Sequence, residues 1–186
     1  MIGSKRKTIN TKELFMKKGM VFILLSFIFS TNVFANPEHM HTPKVGSPEF
    51  EKLKSLAGSW KGTVTEADGK SKDASVEYKV TSAGSALVET LFPGSPDEMV
   101  SVYHDDENEK LTMTHYCAVG NQPQLDLKKA ENNSFELELS PSSKLSAVPH
   151  MHTLKLDLKD GEIIQAWTYY QGGKPGGTTT MTFKKA

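Results

Sequence analysis

The sequence predicts an all-β domain: an antiparallel up-and-down β-barrel of about ten strands with a short N-terminal helix. Three observations lead there. From Ser59 onward apolar and polar residues alternate with a period of two, turn-forming stretches recur between the alternating runs, and nothing after residue 58 repeats at helical spacing. Consecutive hairpins close most economically into a barrel, which removes exposed sheet edges. A two-layer sandwich is the competing architecture, and the short local connections favour the barrel over it.

The first segment reads as something other than fold. Residues 1–20 carry Lys5, Arg6, Lys7, Lys12, Lys17 and Lys18 against a single acid, Glu13. The apolar run Val21–Phe29 follows, and a short polar stretch ends in Val33-Phe34-Ala35. This is the three-part layout of a secretory signal peptide with cleavage after Ala35. Met16-Lys17-Lys18 would serve as an alternative start. The apolar run is about half the roughly 20 residues that a spanning helix requires. The predicted organisation is a signal peptide over 1–35, a flexible leader over 36–46 and the barrel over 47–186. The expected destination is the periplasm or the medium, with no membrane span in the mature part. An uncleaved interfacial anchor is the alternative for residues 1–35.

Without that segment the chain keeps 16 basic and 21 acidic residues, a net charge of −5. A mildly acidic surface without basic clusters argues against a nucleic-acid partner, which demands a positive footprint. Cys117 is the single cysteine, so an internal disulfide is excluded. The cleavage point carries no cysteine for a lipid anchor.

Within the barrel segment, Ser47 suits an N-cap and Pro48 the first helical position, while Glu49 and Glu51 face the positive end of the helix dipole. Phe50, Leu53 and Leu56–Ala57 form one apolar stripe and Gly58 ends it. Strands are expected from Ser59 to Thr65 and from Ser75 to Val80. Further strands fall near 86–92, 99–104, 110–118, 123–129, 133–139, 150–158, 162–170 and 177–184. Asp68-Gly69, Pro93-Gly94, the acidic stretch 105–109, Glu131-Asn132-Asn133, Asp160-Gly161 and Gly172–Gly177 separate most of them.

Strand parity then selects candidate functional residues. In 110–118, Leu111, Met113, His115 and Cys117 share a face; in 150–158, His150, His152, Leu154, Leu156 and Leu158 do. The leucines mark these faces as inward, which puts His115, Cys117, His150 and His152 inside or at the rim, where three imidazoles and a thiol could line one cavity. Imidazole and thiolate are preferred ligands of zinc, copper and iron, which makes haem or a transition metal held by His115, His150 and His152 a candidate cofactor. The alternative is plainer: inward histidines bonded to backbone or water, and a cysteine acting as a small hydrophobe. Glu89 faces inward if Leu87 and Leu91 do, and a buried carboxylate then requires partners or a raised pKa. Beside His115 it would form an acid–base pair. Tyr78, Tyr103, Met113 and Trp167 are the expected wall residues.

Other motifs carry less. His150-Met151-His152 lacks the glycine and the later histidine of a cupin site. His39-Met40-His41-Thr42 repeats the tetrapeptide His150-Met151-His152-Thr153 in the leader, where a solvated tail or a weak copper or zinc site is expected. Residues 105–109 lead into Lys110 and Tyr116, where a calcium loop demands glycine and glutamate. There is no nucleophile elbow, phosphate loop or dinucleotide fingerprint.

Leu56-Ala57-Gly58-Ser59-Trp60-Lys61-Gly62 resembles the opening of calycin-type barrels, in which the Trp packs over the closing helix. The Trp-x-Gly spacing is similar to that of nitrobindin-like barrels, which are ten-stranded and bind haem. That family's haem histidine lies close to the C-terminus, whereas no histidine follows His152 here. A second likeness runs from Ser85-Ala86-Leu87-Val88-Glu89-Thr90-Leu91-Phe92-Pro93-Gly94 through Met99-Val100, Tyr103-His104 and Thr114-His115-Tyr116-Cys117 to Gly120-Asn121-Gln122-Pro123. It resembles a family of exported bacterial proteins of unknown function, and implies a barrel without an activity. Three functions remain open: a small-ligand-binding barrel whose guest is apolar or haem-like, a metal-dependent enzyme using the three histidines with Glu89, and a non-catalytic interaction domain.

Overall fold

Ten strands form where the alternation lies, in a computed structural model that describes residues 42–186. The signal-peptide reading and His39–His41 lie outside the described residues. The strands are β1 (Gly58–Thr65), β2 (Ser71–Thr81), β3 (Ala86–Leu91), β4 (Met99–Asp105) and β5 (Leu111–Tyr116), followed by β6 (Gln124–Glu131), β7 (Ser134–Leu139), β8 (His150–Lys159), β9 (Glu162–Gln171) and β10 (Lys174–Lys185). Each pairs antiparallel with its sequence neighbour, and β1 also pairs with β10, closing the barrel. The connections are all local, so the barrel and not the sandwich is the architecture. Single 3₁₀ turns at Ser82–Gly84 and Lys144–Ala147 are the helical features after β1.

The predicted helix is α1 (Pro48–Lys54), which precedes β1 rather than beginning the chain. Ser47 caps it, accepting from Phe50 N at 3.1 Å. The same Ser47 donates from N and Oγ to the Asp105 carboxylate at 2.6 and 2.8 Å, which ties the helix to the end of β4. Phe50, Leu53 and Leu56 thereby plug this end of the barrel. Trp60 closes the joint: its Nε1 donates to Leu56 O at 2.8 Å, and Lys185 Nζ lies 4.6 Å above its ring.

The core runs the length of the interior, from Phe50, Trp60 and Phe183 to Leu91, Met113 and Trp167. The outward positions carry Lys61, Glu77, Lys79, Glu136 and Lys155. An apolar interior with a charged exterior is the inverse of the pattern of outer-membrane barrels. Among the described residues no helix is long and apolar enough to cross a membrane.

Closure depends on one glycine. A Cβ at Gly62 would lie 1.8 Å from Thr182 O and 2.9 Å from Phe183 Cα, both backbone atoms of β10. The seam between the first and last strands therefore admits no side chain at this point. Gly62→Ala should lower unfolding free energy by about 2–3 kcal/mol or more, the range of core overpacking, measured by urea titration. An unchanged midpoint would contradict the tight seam.

Candidate functional site

Register places a polar row across four strands. Tyr78 on β2 pairs with Glu89 on β3, Glu89 with Ser101 on β4, and Ser101 with His115 on β5. Paired residues project to the same side, and Leu87, Leu91, Leu111 and Met113 fix that side as the interior. Glu89 is 0 % exposed and His115 1 %. The inward reading of Glu89, Tyr103, Met113, His115 and Trp167 matches where these side chains lie.

Glu89 gathers donors. Tyr78 Oη donates to its Oε1 at 2.7 Å and Tyr103 Oη to its Oε2 at 3.0 Å. From the opposite wall, Gln165 Nε2 donates to Glu89 Oε1 and to Tyr78 Oη, while Trp167 Nε1 donates to Gln165 Oε1 at 2.9 Å. Burial still dominates and raises the Glu89 pKa, partly offset by hydrogen bonds from Tyr78, Gln165, Ser101 and Tyr103. The two tyrosines are pushed up as well, by burial first and then by the Glu89 charge.

Ser101 extends the network to the imidazole. Its Oγ lies 3.0 Å from His115 Nδ1. Ser101 is also one of the hydrogen-bonding groups of Glu89; we assign its single proton there, which makes the oxygen the acceptor from His115 Nδ1–H. The lone pair of the neutral ring is then on Nε2, which is buried and has no hydrogen-bond partner. Burial lowers the His115 pKa to about 4, so the ring is neutral at physiological pH. It packs 4.6 Å from the Trp167 ring. Glu89 and His115 are thus linked through Ser101 rather than in direct contact.

The histidines of β8 are elsewhere. Met151 pairs with Tyr169 and Thr153 with Thr168, so His152 is an extra residue, a β-bulge. One inserted residue reverses parity on one side of it. Leu154 and Leu156 face the core as expected, whereas His150 pairs with Tyr170 and shares the outer face with it. His152 stacks on Tyr170 at 3.8 Å and stands 4.0 Å from Glu138, another outward residue. The shared cavity of His115, His150 and His152 is therefore corrected: the barrel wall separates the first from the other two. A metal centre using all three is not assembled, and among the described residues no group of three or more His, Cys, Asp or Glu is placed to hold a metal ion.

Cys117 takes the rim, one of the two places expected for it. β5 ends at Tyr116, and Cys117 opens a turn in which its N donates to Asn121 O at 3.1 Å and its O accepts from Gly120 N at 2.9 Å. It is partly exposed at the barrel rim rather than on the inner wall. Ser101 and Gln165 are the functional positions that the sequence reading missed. Their signal was parity: Ser101 shares a face with Met99 and Tyr103, and Gln165 with Ile163 and Trp167.

Three clefts open on the surface. One of about 590 Å³ is bounded by Lys61, Lys72, Asp73, Phe92 and Asp97, and two smaller ones of about 300 and 260 Å³ flank α1. None borders His115.

No family model matches the chain, and no curated protein does. Among the solved structures that match is one titled a "putative outer membrane protein" from Bacteroides fragilis, with 12 % identity and a TM-score of 0.16. The match covers 73 % of this chain and 99 % of that one.

The buried imidazole makes stability depend on pH. Its folded pKa of about 4 lies below the usual 6.5, so its contribution is fully present above pH 6.5 and is lost as pH falls toward 4. The difference is worth about 3 kcal/mol. Glu89, whose pKa is raised, slopes the other way above pH 4.5, but equally in wild type and in a His115 variant. Relative to wild type, His115→Gln should gain about 3 kcal/mol between pH 7 and pH 4 in urea unfolding. Parallel pH profiles would contradict the buried, neutral ring.

Proposed function

We propose that the chain is an exported barrel that holds a small, largely apolar ligand in the half of its interior remote from α1, with His115 Nε2 as the polar anchor. The observation that carries this reading is the orphaned nitrogen. Tyr78, Glu89, Ser101, Tyr103, Gln165 and Trp167 each have a hydrogen-bond partner, His115 Nε2 has none, and native cores rarely leave such an atom unpaired. A ligand hydroxyl or N–H would complete the network, while Trp167, Met113 and the leucines supply apolar wall. Because Nε2 is an acceptor, the guest has to bring the proton.

Haem fits this site only in part. His115 offers a neutral nitrogen donor of the kind iron takes. Trp167 already packs against that ring, and the surface clefts lie away from it. The reading therefore favours a guest smaller than haem. An enzyme built on all three histidines loses its site to the bulge in β8.

A second reading has its own support. The middle of the barrel is filled by Tyr78, Glu89, Tyr103, Gln165 and Trp167, hydrogen-bonded to one another. A barrel filled throughout would be a rigid scaffold for a partner on its surface rather than a container.

N-phenyl-1-naphthylamine, an apolar probe with one N–H donor, separates the two readings. Bound beside His115 it should quench Trp167 fluorescence saturably, and Trp60→Phe should retain the effect. His115→Leu should weaken binding about tenfold, the cost of one hydrogen bond in a buried site. Haemin in parallel should give at most a weak absorption shift. Absence of saturable binding by either probe would favour the filled scaffold.

A further inference from the structure

The bulge that removes two histidines from the interior brings them together outside it. His150 Nε2 and His152 Nδ1 stand 3.0 Å apart. Two imidazole nitrogens bound to one ion at about 2.0–2.1 Å lie about 2.9 Å apart at a right angle and about 3.3 Å apart at a tetrahedral one. The observed separation, that of a hydrogen bond between the two rings, falls between these values, so a change in the two side-chain torsions would direct both nitrogens at one ion without moving either strand.

The second nitrogen of His150 has a hydrogen-bond partner, and that of His152 has a carboxylate nearby. His150 Nδ1 donates to Val148 O at 2.6 Å, which leaves the lone pair on Nε2. His152 Nε2 lies 4.0 Å from Glu138 Oε1, beyond hydrogen-bond reach but close enough for the carboxylate to favour a proton on that nitrogen. A carbonyl partner such as that of His150 orients a metal-binding histidine and raises its basicity. Tyr170, stacked on His152 at an interplanar angle of 17°, holds the ring plane, and His150 is 1 % exposed and rigidly placed.

The geometry points to a two-histidine site for a divalent transition metal on the outer face of β8, bound through His150 Nε2 and His152 Nδ1. Copper(II) suits it best. It heads the affinity order for nitrogen donors, and its tetragonal geometry takes neighbouring ligands at right angles. On binding, the His152 proton moves from Nδ1, where it bridges to His150, to Nε2, where it faces Glu138; no proton leaves the pair. Two protein donors leave the other positions to water, so the ion is exchangeable. This site is independent of the interior and of any guest at His115.

The test is copper(II) titration of the full chain, made without an affinity tag, followed by calorimetry and electron paramagnetic resonance. The leader pair His39 and His41 provides the control. One equivalent should bind with coupling to imidazole nitrogen. Binding should weaken at least about tenfold in His152→Gln and stay unchanged in the double variant His39→Gln/His41→Gln. His152 is partly exposed, so its variant keeps the fold even if His150→Gln does not; circular dichroism checks this. No saturable copper binding, or a signal that disappears with the leader pair and survives His152→Gln, would overturn the site.

Discussion

A carboxylate in the middle of an apolar barrel has to be answered by hydrogen bonds, and the answer to Glu89 organises the interior. Desolvation of an unpaired carboxylate costs far more than one domain's net stability can absorb. Tyr78, Tyr103 and Gln165 point their protons at it from three strands, and Trp167 is oriented in turn by Gln165. Ser101, the cross-strand neighbour of Glu89, passes the same polarity to His115. The tyrosine and glutamine protons run toward the acid. With the Ser101 proton assigned to it as well, the free lone pair emerges at the far end, on an imidazole nitrogen beside an indole.

The wall of the barrel divides the histidine chemistry into two kinds. Inside, a lone imidazole is neutral, held by a hydroxyl and shielded from water, a setting for hydrogen bonding to a guest. Outside, two imidazoles are hydrogen-bonded to each other, one of them held by a carbonyl, the setting of the proposed coordination. The same residue type thus serves different chemistry according to which face the strand presents, and the division is made by a single inserted residue in β8.

Most of the fold was legible because the pleat has a period of two. All ten strands fall where alternation and turn residues placed them, and the helix cap at Ser47 and the plug of Phe50, Leu53 and Leu56 follow from local chemistry. Parity also pointed His115 inward, since β5 runs without interruption through that position, whereas the apolar residues on both faces of β3 left Glu89 open between the interior and the rim. It failed at His150 and His152 because a bulge is a property of a strand pair. The His-Met-His-Thr stretch contains no glycine or proline to announce one, and only the mismatch with β9 creates it. Cys117 falls at the rim rather than on the inner wall because the strand ends one residue earlier, where Asn121 and Gly120 draw the backbone into a turn. Ser101 and Gln165 were within reach of the same parity argument, but a single serine or glutamine among apolar residues carries little weight until its partner is known.

The central claim is that the Glu89–Ser101 row fixes His115 as a buried neutral ring with its lone pair on Nε2. Long-range proton–nitrogen correlation spectra of ¹⁵N-labelled protein read this directly. The account predicts an His115 ring protonated on Nδ1 alone from pH 8 down to about pH 5, with a midpoint near the lowered value of about 4. A ring that titrates near 6.5, or that carries its proton on Nε2, would contradict it.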